Sequence, residues 1–130
     1  MYSDKRVYYD LFNTKVEEFG KELITSFPNI KQFATFKSGF TFLKNLDVKK
    51  PQEIFNTYIY SEYKTQILNR NEEFFLKNNI KISSSRVEYW FDFIDHIRGI
   101  WKDLDDENKD VIWKYFHLLI TLNEKCVNNT

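Results

Sequence analysis

Apolar residues recur at alternating spacings of three and four along most of this 130-residue chain, which is the pattern of amphipathic helices. It is clearest in the last third. Val87, Trp90, Ile94, Ile97, Trp101 and Leu104 form one run, and Ile112, Tyr115, Leu119, Leu122 and Cys126 form another. Between them lies an acidic break of Asp103, Asp105, Asp106 and Glu107. The arrangement predicts two antiparallel helices packed along apolar seams. Upstream, Phe12, Val16, Phe19, Leu23 and Phe27 make the stripe of a helix over Asp4–Ser26 that Pro28 stops. Ile30, Phe33, Phe36, Phe40 and Leu43 make the stripe of a second helix over residues 29–45, weakened at Gly39.

After a turn at 47–50, Pro51 suits the first position of a third helix. That helix carries Ile54, Phe55, Tyr58, Ile59, Ile67 and Leu68. Residues 69–71 interrupt it, Glu72–Lys77 adds a short helical turn, and 78–84 reads as a loop. Ser85 followed by Glu88 has the form of a capping box, in which each side chain satisfies a free backbone N–H. The final helix starts near Asp105 or Asp106, where carboxylates meet the positive helix end. It is apolar almost all round, with only Lys114, His117, Thr121 and Glu124 forming a polar stripe. Such a helix is wrapped by its neighbours. The expected fold is therefore one all-α bundle of five long helices and one short helix, spanning residues 1–130, with the C-terminal helix central.

Composition changes this picture in two ways. The chain holds 13 Phe and 8 Tyr but one alanine, Ala34. Its core must be filled by large side chains, so close helix–helix approaches should be few. The abundant residues also have AT-rich codons, which points to an AT-rich genome rather than to a function. Formal net charge is zero, so there is no general drive toward nucleic acid or acidic membranes. Residues 1–81 carry 13 Lys/Arg against 10 Asp/Glu, and residues 82–130 carry 6 against 9. The two parts therefore differ mildly in sign. One cysteine, Cys126, excludes an intrachain disulfide and fits a reducing compartment. The N-terminus lacks the apolar core of a signal peptide, and no apolar run approaches the roughly 20 residues that span a bilayer. A soluble intracellular protein is expected.

No motif for a cofactor, a zinc site or a nucleophile elbow is present, and Gly20, Gly39 and Gly99 are isolated within helices. Glu88, Asp92 and His96 share one side of a helix, with Asp95 nearby, in a pattern that can ligate a divalent metal. The same pattern describes a solvated face, and bundle metal sites draw matching ligands from a second helix. His117 is either a general base or a hydrogen-bonded core histidine. Cys126 is either a nucleophile with a nearby base or a packing residue. A basic segment over residues 31–50 contains Lys31, Lys37, Lys44, Lys49 and Lys50, with Phe36, Phe40 and Phe42 interleaved. That mixture can bind phosphates and stack bases. It equally describes a helix with its phenylalanines inward and its lysines in water. Tyr60 and Tyr63 point away from the apolar stripe of the third helix; they are either interface aromatics or side chains partly buried against the first helix or the 78–84 loop. The acidic turn is larger than a cap requires. Asp103, Asp106, Glu107 and Asp110 therefore form a candidate contact for a basic partner, or serve solubility and pairing with Lys102 and Lys109.

Several runs carry a resemblance. They are Phe27-Pro28-Asn29, the run from Asn71 to Leu76, and the run from Trp101 to Lys109 continued by Ile112-Trp113-Lys114-Tyr115-Phe116. These resemble a group of short helical proteins encoded by large DNA viruses of algae and protists. The resemblance implies expression in an infected eukaryotic cell, in the host cytoplasm or at a site of viral replication or packaging. It carries over no site residues. The leading expectation is a non-enzymatic protein-interaction module, an adaptor or scaffold, whose partner is another protein or a second copy of itself. Alternatives are a nucleic-acid-associated factor using the basic segment and a small metal-dependent enzyme centred on His96 or His117. No catalytic residue, cofactor or membrane partner is assigned.

Overall fold

The computed structural model describes residues 4–77 and 88–128. The loop expected at 78–84, the Ser85–Glu88 capping box, and the side chains of Val87 and Trp90 lie outside the described residues.

The described chain is an all-α bundle. Helix α1 spans Asp4–Ser26 and α2 spans Lys31–Leu46. Helix α3 (Lys50–Phe55) continues through a π turn (Asn56–Tyr60) into α4 (Ser61–Leu68). These three segments are one rod, corresponding to the third helix of the sequence reading. Short α5 (Glu72–Lys77) follows, then α6 (Glu88–Ile100), a 3₁₀ turn (Trp101–Asp103) and α7 (Asp106–Asn128). Counting the rod as one, the described residues form five long helices and one short one.

The helix boundaries have local causes. Pro28 interrupts the chain after α1, and the Ile30 N–H closes a turn onto the Phe27 carbonyl at 3.1 Å. Helix α2 consequently starts two residues later than the sequence pattern suggests. Asp105 caps α7, its Oδ1 accepting the Asn108 N–H at 2.8 Å, the bond an N-cap makes to the third helical residue. Helix α4 ends with the Asn71 N–H on the Gln66 carbonyl (2.9 Å) and the Arg70 N–H on the Ile67 carbonyl (3.0 Å). This is the paired-bond closure that places one residue in the left-handed region. Arg70, at φ 50°, occupies the position where glycine is usual, at a cost of about 1 kcal/mol.

Each stripe read from the sequence packs inward. Phe12, Val16, Phe19 and Leu23 of α1, Phe33, Phe36 and Phe40 of α2, and Ile94 and Ile97 of α6 are all buried. Helix α7 packs along α1 on one side and against α3, the π turn and α4 on another. It runs antiparallel to α1: Phe19 stacks on Tyr115 at 4.6 Å, and its edge meets Phe116 at 5.6 Å. Helix α6 packs chiefly on α2, where Phe93 stacks on Phe36 at 3.9 Å. Phe93 also meets Phe19 edge-on at 5.4 Å, so one continuous aromatic column links α2, α6, α1 and α7. Where α6 ends, buried Trp101 meets Trp113 of α7 edge-on at 5.3 Å. Large rings thus fill the space between helices, as the near absence of alanine requires. No helix among the described residues is long and apolar enough to cross a membrane.

Candidate partner-binding surfaces

Three buried amides join the rod to α7 and α1. Gln52 and Asn13 are each 2% exposed, and Asn123 is fully buried. Gln52 Nε2 donates to Asn123 Oδ1 at 2.8 Å, and Asn123 Nδ2 donates to Asn56 Oδ1 at 3.0 Å. Asn13 Nδ2 donates to the Val48 carbonyl at 2.9 Å. Burying a polar group is costly unless it is paired. These bonds therefore fix the register of α3 and its π turn on α7, and hold the α2–α3 turn on α1. Pattern reading missed all three, because each amide looks like an ordinary surface residue in its own helix.

Beside this ladder the π turn brings Tyr60 to α7. Its hydroxyl donates to Glu124 Oε2 at 2.7 Å, and Lys64 Nζ donates to the same oxygen at 2.6 Å and to the Tyr60 oxygen at 3.1 Å. The Lys64 and Tyr60 hydrogen bonds hold the Glu124 carboxyl below its usual pKa, and the Glu124 bond raises that of Lys64. Tyr63 is half-buried against Phe74 at 6.0 Å, and burial pushes its phenol pKa up. Both tyrosines proposed from the sequence as partner contacts are thus engaged within the bundle through part of their surface.

The acidic corner separates into two groups. Asp110 is held by Arg70 at 2.7 Å and Lys114 at 2.9 Å, and these bonds lower its pKa. Asp103, Asp106 and Glu107 are exposed, and none is in an ion pair among the described residues. Lys109 lies 3.4 Å from Glu72 and 5.6 Å over the Trp101 ring. Among the described residues, the exposed carboxylates of the corner without an ion pair are therefore Asp103, Asp106 and Glu107, together with the helix cap Asp105.

The basic segment is spread over several faces. Lys44 pairs with Glu17 of α1 at 2.8 Å, beside a 2.9 Å bond from Thr41 to the same carboxylate. Lys50 pairs with Glu53 at 3.5 Å, and Lys49 lies 5.6 Å over the Tyr9 ring. Lys37 lies half-buried on the α1-facing side of α2, opposite Gly20. Phe36 and Phe40 are buried in the core. Only Phe42 of the interleaved rings faces out, at 68% exposure, and Leu46 one turn later is 69% exposed.

Lys31, Thr35, Ser38, Phe42 and Leu46 fall at helical spacing on one side of α2, and all five are exposed. They form a strip about 22 Å long, from 1.5 Å rise per residue. It is cationic at the helix start and apolar at its end. The spacing carried a signal for this strip: Phe42 is off the Phe33–Phe36–Phe40 stripe by half a turn.

Elsewhere, His117 Nε2 lies 2.9 Å from the Ile67 carbonyl, a contact in which the ring N–H donates and ties α7 to the end of α4. Cys126 is buried, and burial, then the charges of Cys126 and Glu53, push the Tyr9 phenol up. His96 is half-buried in α6. The Glu88 and Asp92 side chains that would join it lie outside the described residues. Among the described residues no three His, Cys, Asp or Glu side chains are grouped as a metal site. No known family, curated protein or solved structure matches this chain.

Proposed function

We propose that this protein is a non-enzymatic protein-interaction module, an adaptor or scaffold, that docks an amphipathic helix of its partner along the outer strip of α2. The observation that carries this reading is the exposure of Phe42 and Leu46, two large apolar side chains one turn apart on a helix whose core face is already filled. Helix-in-groove recognition uses anchors at this spacing. Lys31 at the far end of the strip favours a partner helix bearing a carboxylate there. The exposed Asp103, Asp106 and Glu107 offer a second, basic-seeking contact. The resemblance to short viral proteins supports placing the partner in an infected cell, at replication or packaging.

The test is photo-crosslinking from a reactive residue placed at Leu46, combined with affinity purification with and without nuclease. The expected result is a stoichiometric, nuclease-resistant protein crosslinked at that position. Phe42→Asp should abolish the crosslink while leaving the helical signal unchanged. Burying the exposed two-thirds of both anchors is worth about 3 kcal/mol, so truncating both to alanine should weaken binding about 100-fold. Material that disappears with nuclease and depends on Lys44, Lys49 and Lys50 would replace this reading with nucleic-acid binding by the basic segment.

A further inference from the structure

The outer strip of α2 has an order along its length. Lys31 stands at one end, Thr35 and Ser38 in the middle, and Phe42 and Leu46 at the other end, with Asp47 just beyond; all are exposed. Lys31 and Asp47 take part in no ion pair among the described residues. Asp47 Oδ1 accepts only the Lys49 N–H, at 3.0 Å, among those residues. Nothing lies within 4 Å of the place a Cβ on Gly39 would take, so the middle of the strip is open to approach. Ala34, the single alanine of the chain, is exposed on the same side. The large apolar side chains are thus gathered at one end, and small ones occupy the middle.

This order is complementary to itself. Turning a second α2 end for end about a twofold axis between Ser38 and Gly39 sets Phe42 of each copy over Thr35 of the other, flanked by Ala34 and Ser38. None of these is large enough to exclude the ring. Leu46 then faces Lys31 of the second copy, whose aliphatic stem covers it while the ammonium reaches Asp47. Each contact is made twice, as in an isologous interface. The positive start of each helix also lies against the negative end of the other. The parallel arrangement would set Lys31 against Lys31 and Asp47 against Asp47, and like charges in register disfavour it.

We infer that the occupant of the α2 strip is the same strip of a second copy of this chain, running antiparallel. The inference rests on the strip being the docking surface and names what covers it. Two apolar anchors and one ion pair from each copy make a small contact, so the dimer is weak and reversible.

Sedimentation equilibrium of the full chain from about 10 µM to about 1 mM should show a reversible monomer–dimer equilibrium. Phe42→Asp should weaken it at least about tenfold and leave the unfolding midpoint unchanged. Lys31→Glu and Asp47→Lys, each alone, set like charges at both ends and should weaken self-association about tenfold. An equimolar mixture of those two variants should pair as tightly as the parent, because opposite charges again meet at both ends. A photo-reactive residue at Leu46 should crosslink to residues 31–35 of the second copy. A chain that stays monomeric at about 1 mM would overturn the inference. So would a dimer indifferent to Phe42→Asp, a mixture no tighter than its separate variants, or a crosslink joining Leu46 to Leu46. If the chain is monomeric yet a different protein is captured at Leu46 and lost with Phe42→Asp, the strip remains a docking surface for that protein; if nothing is captured, both readings fall.

Discussion

Replacing Asn123 by leucine tests whether the buried amide ladder specifies how the rod sits on α7. The substitution keeps the number and branching of the side-chain heavy atoms while removing their hydrogen bonding, so its main effect is the loss of the two bonds. It removes the 2.8 Å bond from Gln52 and the 3.0 Å bond to Asn56. Gln52 is 2% exposed, so its stranded Nε2 finds no water and costs about 1–3 kcal/mol. Asn56 is half-buried and recovers part of its loss from solvent. Together the two groups cost about 2–4 kcal/mol, and the added apolar burial of leucine offsets about 1. A net loss of about 1–3 kcal/mol is expected, against a total stability for a domain of this size of about 5–15. Urea unfolding followed by circular dichroism measures it. The decisive comparison is the double variant Asn123→Leu with Gln52→Leu, which removes donor and acceptor together. It should regain about 1–2 kcal/mol relative to the sum of the single changes, the coupling expected of residues in direct contact. Additive losses, or a single Asn123→Leu variant as stable as the parent, would refute the ladder as a determinant of register.

Two further outcomes follow from local geometry. Because Glu124 has a depressed pKa when folded, the stability it contributes is present above its unfolded value and is lost as pH falls through the folded one. Glu124→Gln should therefore flatten the acid limb of a stability-versus-pH profile below about pH 5, and an unchanged limb would show that the Lys64–Tyr60 cluster contributes nothing there. Gly39 is exposed, has no positive φ, and nothing lies within 4 Å of where a Cβ would sit, so Gly39→Ala should raise stability by about 0.5–1 kcal/mol, measured by the same urea titration.

The helices and most of their buried faces were legible because periodicity records burial directly. Phe12, Val16, Phe19 and Leu23 repeat at three and four and all lie inside. What escaped reading is pairing across distance. Gln52 and Asn123 are 71 residues apart, and each becomes comprehensible only when the other is beside it. The π turn is invisible for a related reason. Its extra residue shifts Tyr60 toward Glu124, a change set by the contact and not by local propensity. Arg70 in the left-handed region is a third case, since glycine at that position would have been a recognisable signal and arginine is not. The candidate surfaces divide similarly. Tyr60 and Asp110 looked available because Glu124 and Arg70, which engage them, come from other elements. Phe42 could have been singled out from spacing, but the lysines around it drew it into the basic segment.

Helix α2 shows why the interaction reading can be separated from folding. Its inner face, through Phe33, Phe36 and Phe40, supplies the contacts to α6 and the aromatic column. Its flank, through Thr41 and Lys44, is bonded to Glu17 of α1. These two faces account for the helix's place in the bundle. Phe42 and Leu46 take part in neither, and two-thirds of each remains in water. Exposed apolar side chains stabilise a monomer little, while each adds to the driving force for association once a partner covers it. Substitutions there should alter binding without altering the unfolding transition, whereas changes at Phe36 or Glu17 should move the transition itself. If the strip were only an accident of composition, Phe42→Asp would leave every interaction of the protein unchanged. Polar residues at both anchor positions would then serve the fold equally well.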